Sequence, residues 1–191
     1  EAGIGKTALL ERFTASTDDG MRVLWGGCDA LFTARPLGPL HDIARVVGGR
    51  LQSLFVEGAE REALFDACLR ELQRPETPTI LVLEDVHWAD EATLDLIKYL
   101  GRRIDATSAL LLVSYRDDEV DAAHPLRSVL GDLGSGTFAR LPVPPLSREA
   151  VSCLAADAGR RADSLYEVTG GNPFFVTEVL SVDGSRVPDT V

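Results

Sequence analysis

Glu1-Ala2-Gly3-Ile4-Gly5-Lys6-Thr7 opens the chain, and its reading decides the fold. The run matches the end of a phosphate-binding loop, G-x-x-x-x-G-K-[ST], whose first glycine would stand immediately before residue 1. Gly3 and Gly5 permit backbone conformations that a Cβ hinders, so successive N–H groups can turn inward around an anion. Lys6 would carry an ammonium to the β and γ phosphates, and the Thr7 hydroxyl is a hard oxygen ligand suited to Mg²⁺. Residues from Thr7 to Phe13 are helix-compatible. Phosphates would then lie at a helix N-terminus, where unpaired N–H groups and the dipole favour negative charge. Ile4 lies inside the loop and Ala8 in the first helical turn, so Gly3, Ile4, Gly5, Lys6, Thr7 and Ala8 are the expected nucleotide contacts. The alternative is a glycine-containing turn before an ordinary helix, and two further signals weigh against it.

The first of these is Thr79-Ile80-Leu81-Val82-Leu83, a continuous apolar and β-branched run ending in Glu84-Asp85. Such a run suits a parallel strand buried on both faces. Acids at its carboxyl end lie where sheets of this kind bind ligands. One acid can hold Mg²⁺, directly or through water, while the other orients or deprotonates an attacking water. Glu84 and Asp85 are therefore expected catalytic residues, and with Thr7 the expected metal ligands; capping of a strand end is the competing reading. The second is Arg116, at the end of the apolar run Ala109 to Tyr115. Its guanidinium suits a γ-phosphate sensor, or else an ion pair with Asp117, Asp118 or Glu119. Between the two, His87 reads as a γ-phosphate contact or a solvated loop histidine, Trp88 as a packing residue, and Asp90 as a helix N-cap.

Around these signals the chain alternates strand and helix patterns, which indicates an α/β fold with a parallel sheet. Strands are expected at Arg22 to Gly27, Thr79 to Leu83 and Ala109 to Tyr115, with a short one at Thr137 to Leu141. Helical periodicity covers Leu40 to Phe55, weakened at Gly48-Gly49, then Arg61 to Leu72 and the stretch after Asp90. Pro142, Pro144 and Pro145 form a stiff joint, after which the pattern is helical only: Arg148 to Ala158, Arg161 to Thr169, and a helix from Pro173. Asn172 would cap that last helix, and the tail from Val182 is turn-rich. The expected division is an α/β core over residues 1–142 and the start of a helical domain over 143–191. The chain begins inside a motif, with no initiator Met and no strand leading into the loop. It is expected to be a piece of a longer protein, cut at both ends, with the first strand of the sheet outside it.

A formal net charge of −11 argues against a broad nucleic-acid footprint, which needs clustered Lys and Arg. Cys28, Cys68 and Cys153 are too far apart for a metal-ligand motif and read as buried thiols of a reducing cytoplasm. The longest apolar runs are far too short to span a bilayer.

Taken together, E-A-G-I-G-K-T, L-V-L-E-D-V-H-W-A-D, S-Y-R, L-P-V-P-P-L-S and T-G-G-N-P-F-F-V-T-E-V-L resemble the ATPase module of the large bacterial LuxR-type regulators. These belong to the STAND branch of AAA-like P-loop ATPases. The resemblance implies a three-layer P-loop core with a helical lid that binds ATP or ADP with Mg²⁺ and hydrolyses ATP slowly as a signalling switch. It further implies a cytoplasmic parent protein with downstream sensor and effector domains, a DNA-binding domain beyond this chain, and nucleotide-dependent self-association. By the same resemblance Pro173, with Asn172, matches the lid turn that lies near the adenine. Glu84 stands where the superfamily more commonly has Asp, which leaves open which acid serves the metal. A fused cyclase or protein kinase as output, and a nucleotide-binding module without turnover, are the alternative functions.

Overall fold

A computed structural model of the chain describes residues 1–17, 20–30, 35–133, 138–161 and 164–181. In chain order the elements are α1 (Lys6–Ala15), β1 (Arg22–Gly27), α2 (Gly38–Val47), α3 (Gly49–Glu57), α4 (Arg61–Leu72), β2 (Thr79–Glu84), α5 (Glu91–Gly101), β3 (Ala109–Val113), α6 (Pro125–Asp132), α7 (Arg148–Asp157), α8 (Leu165–Thr169) and α9 (Pro173–Ser181). The chain divides into two units, one of Glu11–Arg140, the other of Glu1–Leu10 with the chain from Leu141 onward.

The larger unit is built on a parallel sheet of order β1-β2-β3, as the α/β reading expected. Five of the six residues of β2 are buried, so both of its faces are covered, and its unbroken apolar run is the sequence signature of that position. Leu81 and Leu83 pack with Leu40, Ile43, Leu72 and Leu100 in one core, each at most 1% exposed. Burying each such side chain contributes about 1.5–3 kcal/mol. Arg22, at the start of β1, donates to the Glu71 carbonyl at 2.9 Å and reaches the Glu71 carboxylate and the Thr79 hydroxyl, which ties the end of α4 to two strands. The smaller unit has its own core of Val151, Ala155, Leu165 and Val176.

Several expectations are corrected. The single helix over Leu40 to Phe55 is two, because Gly48 takes φ 69° and ψ −150°, which closes α2 and precedes α3. No strand forms at residues 138–141, which are not paired into the sheet; Thr137 lies outside the described residues, as does the tail from Val182. The helix expected over Arg161 to Thr169 is described only as α8, five residues long. Cys28 and Cys68 are buried, but Cys153 is exposed, on the face of α7 opposite Val151 and Ala155. No helix among the described residues is long and apolar enough to cross a membrane.

Candidate functional site

The opening loop takes the conformation its glycines allow. Gly3 has φ 70° and Gly5 φ 91°, both in the region that disfavours a side chain. Helix α1 starts at Lys6 and has no acid in its first turn, whose partial positive charge suits an anion. The first helical hydrogen bond, Leu9 N to Gly5 O at 2.9 Å, leaves the preceding amides to other partners. Ile4 is buried, anchoring the loop beneath, while Thr7 and Ala8 are exposed. The Lys6 ammonium donates to the Glu1 carbonyl at 3.1 Å. This arrangement fits a phosphate chain: backbone donors, a helix start and the Lys6 cation.

The same unit brings the turn before α9 to this loop. Asn172 donates through Nδ2 to the Ala2 carbonyl at 2.9 Å and to Glu1 Oε1 at 3.2 Å. Pro173 lies against Gly5, where an added Cβ would stand 3.6 Å from the proline Cγ.

In the larger unit, the acids sit where β2 ends. Glu84 closes the strand, and the Trp25 indole N–H donates to its Oε2 at 2.9 Å. Asp85 turns left-handed at φ 51° and ψ 43°, a conformation Asp tolerates better than most residues. The turn is held by Ser114, which follows β3. The Asp85 N–H donates to its hydroxyl at 3.1 Å and the Val86 N–H to its carbonyl at 2.9 Å. Neighbouring strand ends thus set the direction of the acidic pair. Ser114 was quoted in the sequence only as part of S-Y-R, since nothing local marks it as a support.

His87 is buried in a short 3-10 turn, Val86–Trp88, which excludes the solvated-loop reading. Its ring nitrogens stand 3.9 Å from Asp85 Oδ1 and 3.6 Å from Glu119 Oε2. Glu119 is the hub of this corner. It accepts from the Trp88 indole at 3.0 Å and from Arg116 at 2.5 Å, while the guanidinium lies 4.8 Å from the centre of the Trp88 ring. Burial opposes ionisation of Glu119, yet its hydrogen bonds from Arg116 and Trp88 hold its carboxyl below the usual range. Arg116 therefore has the carboxylate partner that the ion-pair reading expected, with Glu119 the one chosen among three acids. His124 supports the same turn: its Nδ1 accepts from the Leu126 N–H, which leaves Nε2–H to donate to the His87 carbonyl at 3.1 Å.

Asp90 is the N-cap of α5, accepting from Ala92 N at 3.0 Å and Thr93 N at 3.1 Å. It also takes the Leu37 N–H at 3.2 Å, so one carboxylate fixes the starts of both α5 and α2. A hollow of about 220 Å³ opens at the ends of β1 and β2, lined by Cys28, Arg35, Asp42 and Asp90 among others, but not by Glu84 or Asp85. Among the described residues no three His, Cys, Asp or Glu side chains form a ready-made metal cage. Mg²⁺ carried by a nucleotide needs only one or two protein oxygens, so the hydroxyl of Thr7 and a carboxylate of the acidic pair suit it chemically.

A phosphate loop opening a helix, together with acids at the carboxyl end of a buried parallel strand, defines the class of P-loop ATPases. Residues 1–113 match the AAA ATPase domain, and the chain belongs to that family, whose class activity is ATP binding and hydrolysis. An uncharacterized protein of Rhizobium meliloti (strain 1021) is 33% identical over 151 residues, 75% of this chain. The crystal structure of Cdc6p from Pyrobaculum aerophilum is similar in fold, with a TM-score of 0.55 at 20% identity over 85% of this chain. The chain spans 14% of the length of the first and 41% of the second.

Proposed function

We propose that the chain is the ATP-driven switch of a larger signalling protein of the LuxR-type, STAND class, and that the parent regulates transcription. Gly3, Ile4, Gly5, Lys6, Thr7 and Ala8 receive the phosphates of ATP or ADP, and Pro173 flanks the base. Thr7 and one of Glu84 and Asp85 hold Mg²⁺; the other acid orients water, and Arg116 reads the γ-phosphate. The observation that carries this reading is the loop itself, with two positive-φ glycines running into a helix that begins at the lysine. The motif set resembling LuxR-type regulators, and the small share of the Rhizobium meliloti relative that the chain spans, support a multidomain parent. The parent acts in the cytoplasm, touches DNA through a domain outside this chain, and self-associates when loaded.

A single-turnover assay with labelled ATP tests the activity. One phosphate released per bound ATP over minutes supports a switch; bound ATP recovered intact after hours supports a binding module instead.

A further inference from the structure

Asn172 lies 170 residues from the loop it contacts and is only 3% exposed. Every polar atom of its side chain is engaged. Oδ1 accepts from the Phe174 N–H at 3.0 Å and so caps α9, while Nδ2 gives its two hydrogens to the Ala2 carbonyl and Glu1 Oε1. The Phe174 N–H also points to the Gly3 carbonyl at 3.2 Å. Two successive loop carbonyls, of Ala2 and Gly3, are therefore drawn toward the lid turn. Peptide planarity then matters: a carbonyl turned one way turns the N–H of the same peptide the other way. Drawing the carbonyls of Ala2 and Gly3 outward aims the amides of Gly3 and Ile4 to the opposite side.

Close packing makes the contact specific. A Cβ on Gly3 would stand 2.6 Å from Phe174 Cβ and 3.1 Å from Asn172 Oδ1, so only glycine lets the loop approach this closely. On its other flank the turn is fastened by Leu146 N donating to Gly171 O at 2.8 Å, which limits where Asn172 can sit.

We propose that Asn172 is a positioning residue that latches the phosphate loop to the lid, setting the loop amides for nucleotide and coupling loop shape to lid conformation. This rests on the nucleotide reading of the loop. The side chain must be both acceptor and donor, which explains an amide here. Aspartate or serine would cap α9 equally well but could not give two hydrogens to the loop. By reciprocity, a nucleotide that stabilises the loop strengthens the latch, and a signal that shifts α9 weakens nucleotide binding.

The substitutions Asn172→Asp and Asn172→Ser keep the cap and remove the donor pair, and both are made in the full chain that carries these residues. Hydrogen exchange of the nucleotide-free protein is expected to quicken at the amides of Gly3 to Thr7, with those of α9 unchanged. Affinity for Mg·ATP should fall on the order of tenfold, the scale of one lost hydrogen bond that positions the loop, while the circular dichroism spectrum stays that of the folded parent. Asn172→Ser carries the same expectation without an added charge and decides the matter if the aspartate variant does not fold. Unchanged loop exchange in the serine variant overturns the latch. So does unchanged affinity in both variants while Lys6→Ala loses binding. No saturable binding by the parent overturns the nucleotide reading beneath it.

Discussion

Glu84 and Asp85 are adjacent, yet their surroundings differ. Trp25 engages one oxygen of Glu84, whereas Asp85 is presented on a left-handed turn pinned by Ser114. Their roles should therefore separate on mutation. Whichever of Glu84→Gln and Asp85→Asn removes the metal ligand should bind ATP no better with Mg²⁺ than without it. The other should bind like the parent and hydrolyse about 10²–10⁴-fold more slowly, the usual contribution of a positioned base. Titration and single-turnover rates on both variants check this; parental turnover in both would remove the pair from catalysis. Arg116 carries its own prediction. Removing its partner by Glu119→Gln should raise the ratio of ATP to ADP affinity several-fold, the scale of a partly exposed ion pair. Competition between the two nucleotides measures it, and an unchanged ratio would deny Arg116 the sensor role.

Among the elements, those whose signals are local were legible. Asp90 before an amphipathic run is a cap in the sequence and in the structure, and β2 announces its burial through five apolar or β-branched residues. Helix α6 was missed because its cap is His124, whose ring nitrogen does the work usually given to Ser, Thr, Asp or Asn. The start of α2 was missed because Leu37 is left-handed and its amide is held by Asp90, 53 residues away. That double duty makes Asp90 more than an ordinary cap. Asp90→Ala should destabilise the fold by about 2 kcal/mol, the upper end for a lost cap, and Asp90→Asn by clearly less. Chemical denaturation of the two variants compares them; equal losses would mean the charge, rather than the cap geometry, is what matters.

For the whole molecule, the buried thiols set a limit at alkaline pH. Burial, and then the nearby charges of Asp90, Asp85 and Asp29, push Cys28 up to about 12; burial does the same to Cys68. An unfolded thiol ionises from its ordinary value of 9.0, and the folded one does not. Their contribution to stability is thus fully present below pH 9.0 and is lost as pH rises toward about 12. Melting temperature should fall across that window, and less steeply when both cysteines are replaced by alanine; the same slope in both proteins would refute the assignment. At this scale the candidate site was only partly legible. The phosphate loop could be read because its residues are contiguous. The Asn172 contact to Ala2 and the Glu119 hub could not, since each depends on which side chains the folded chain brings together. The central claim is that Gly3 to Thr7 cradle a nucleotide, and its most direct test is calorimetric titration with Mg·ATP of the full protein and of Lys6→Ala. One saturable site per chain is expected, weakened by about 2–4 kcal/mol in the variant. Equal affinity in the two proteins would contradict it.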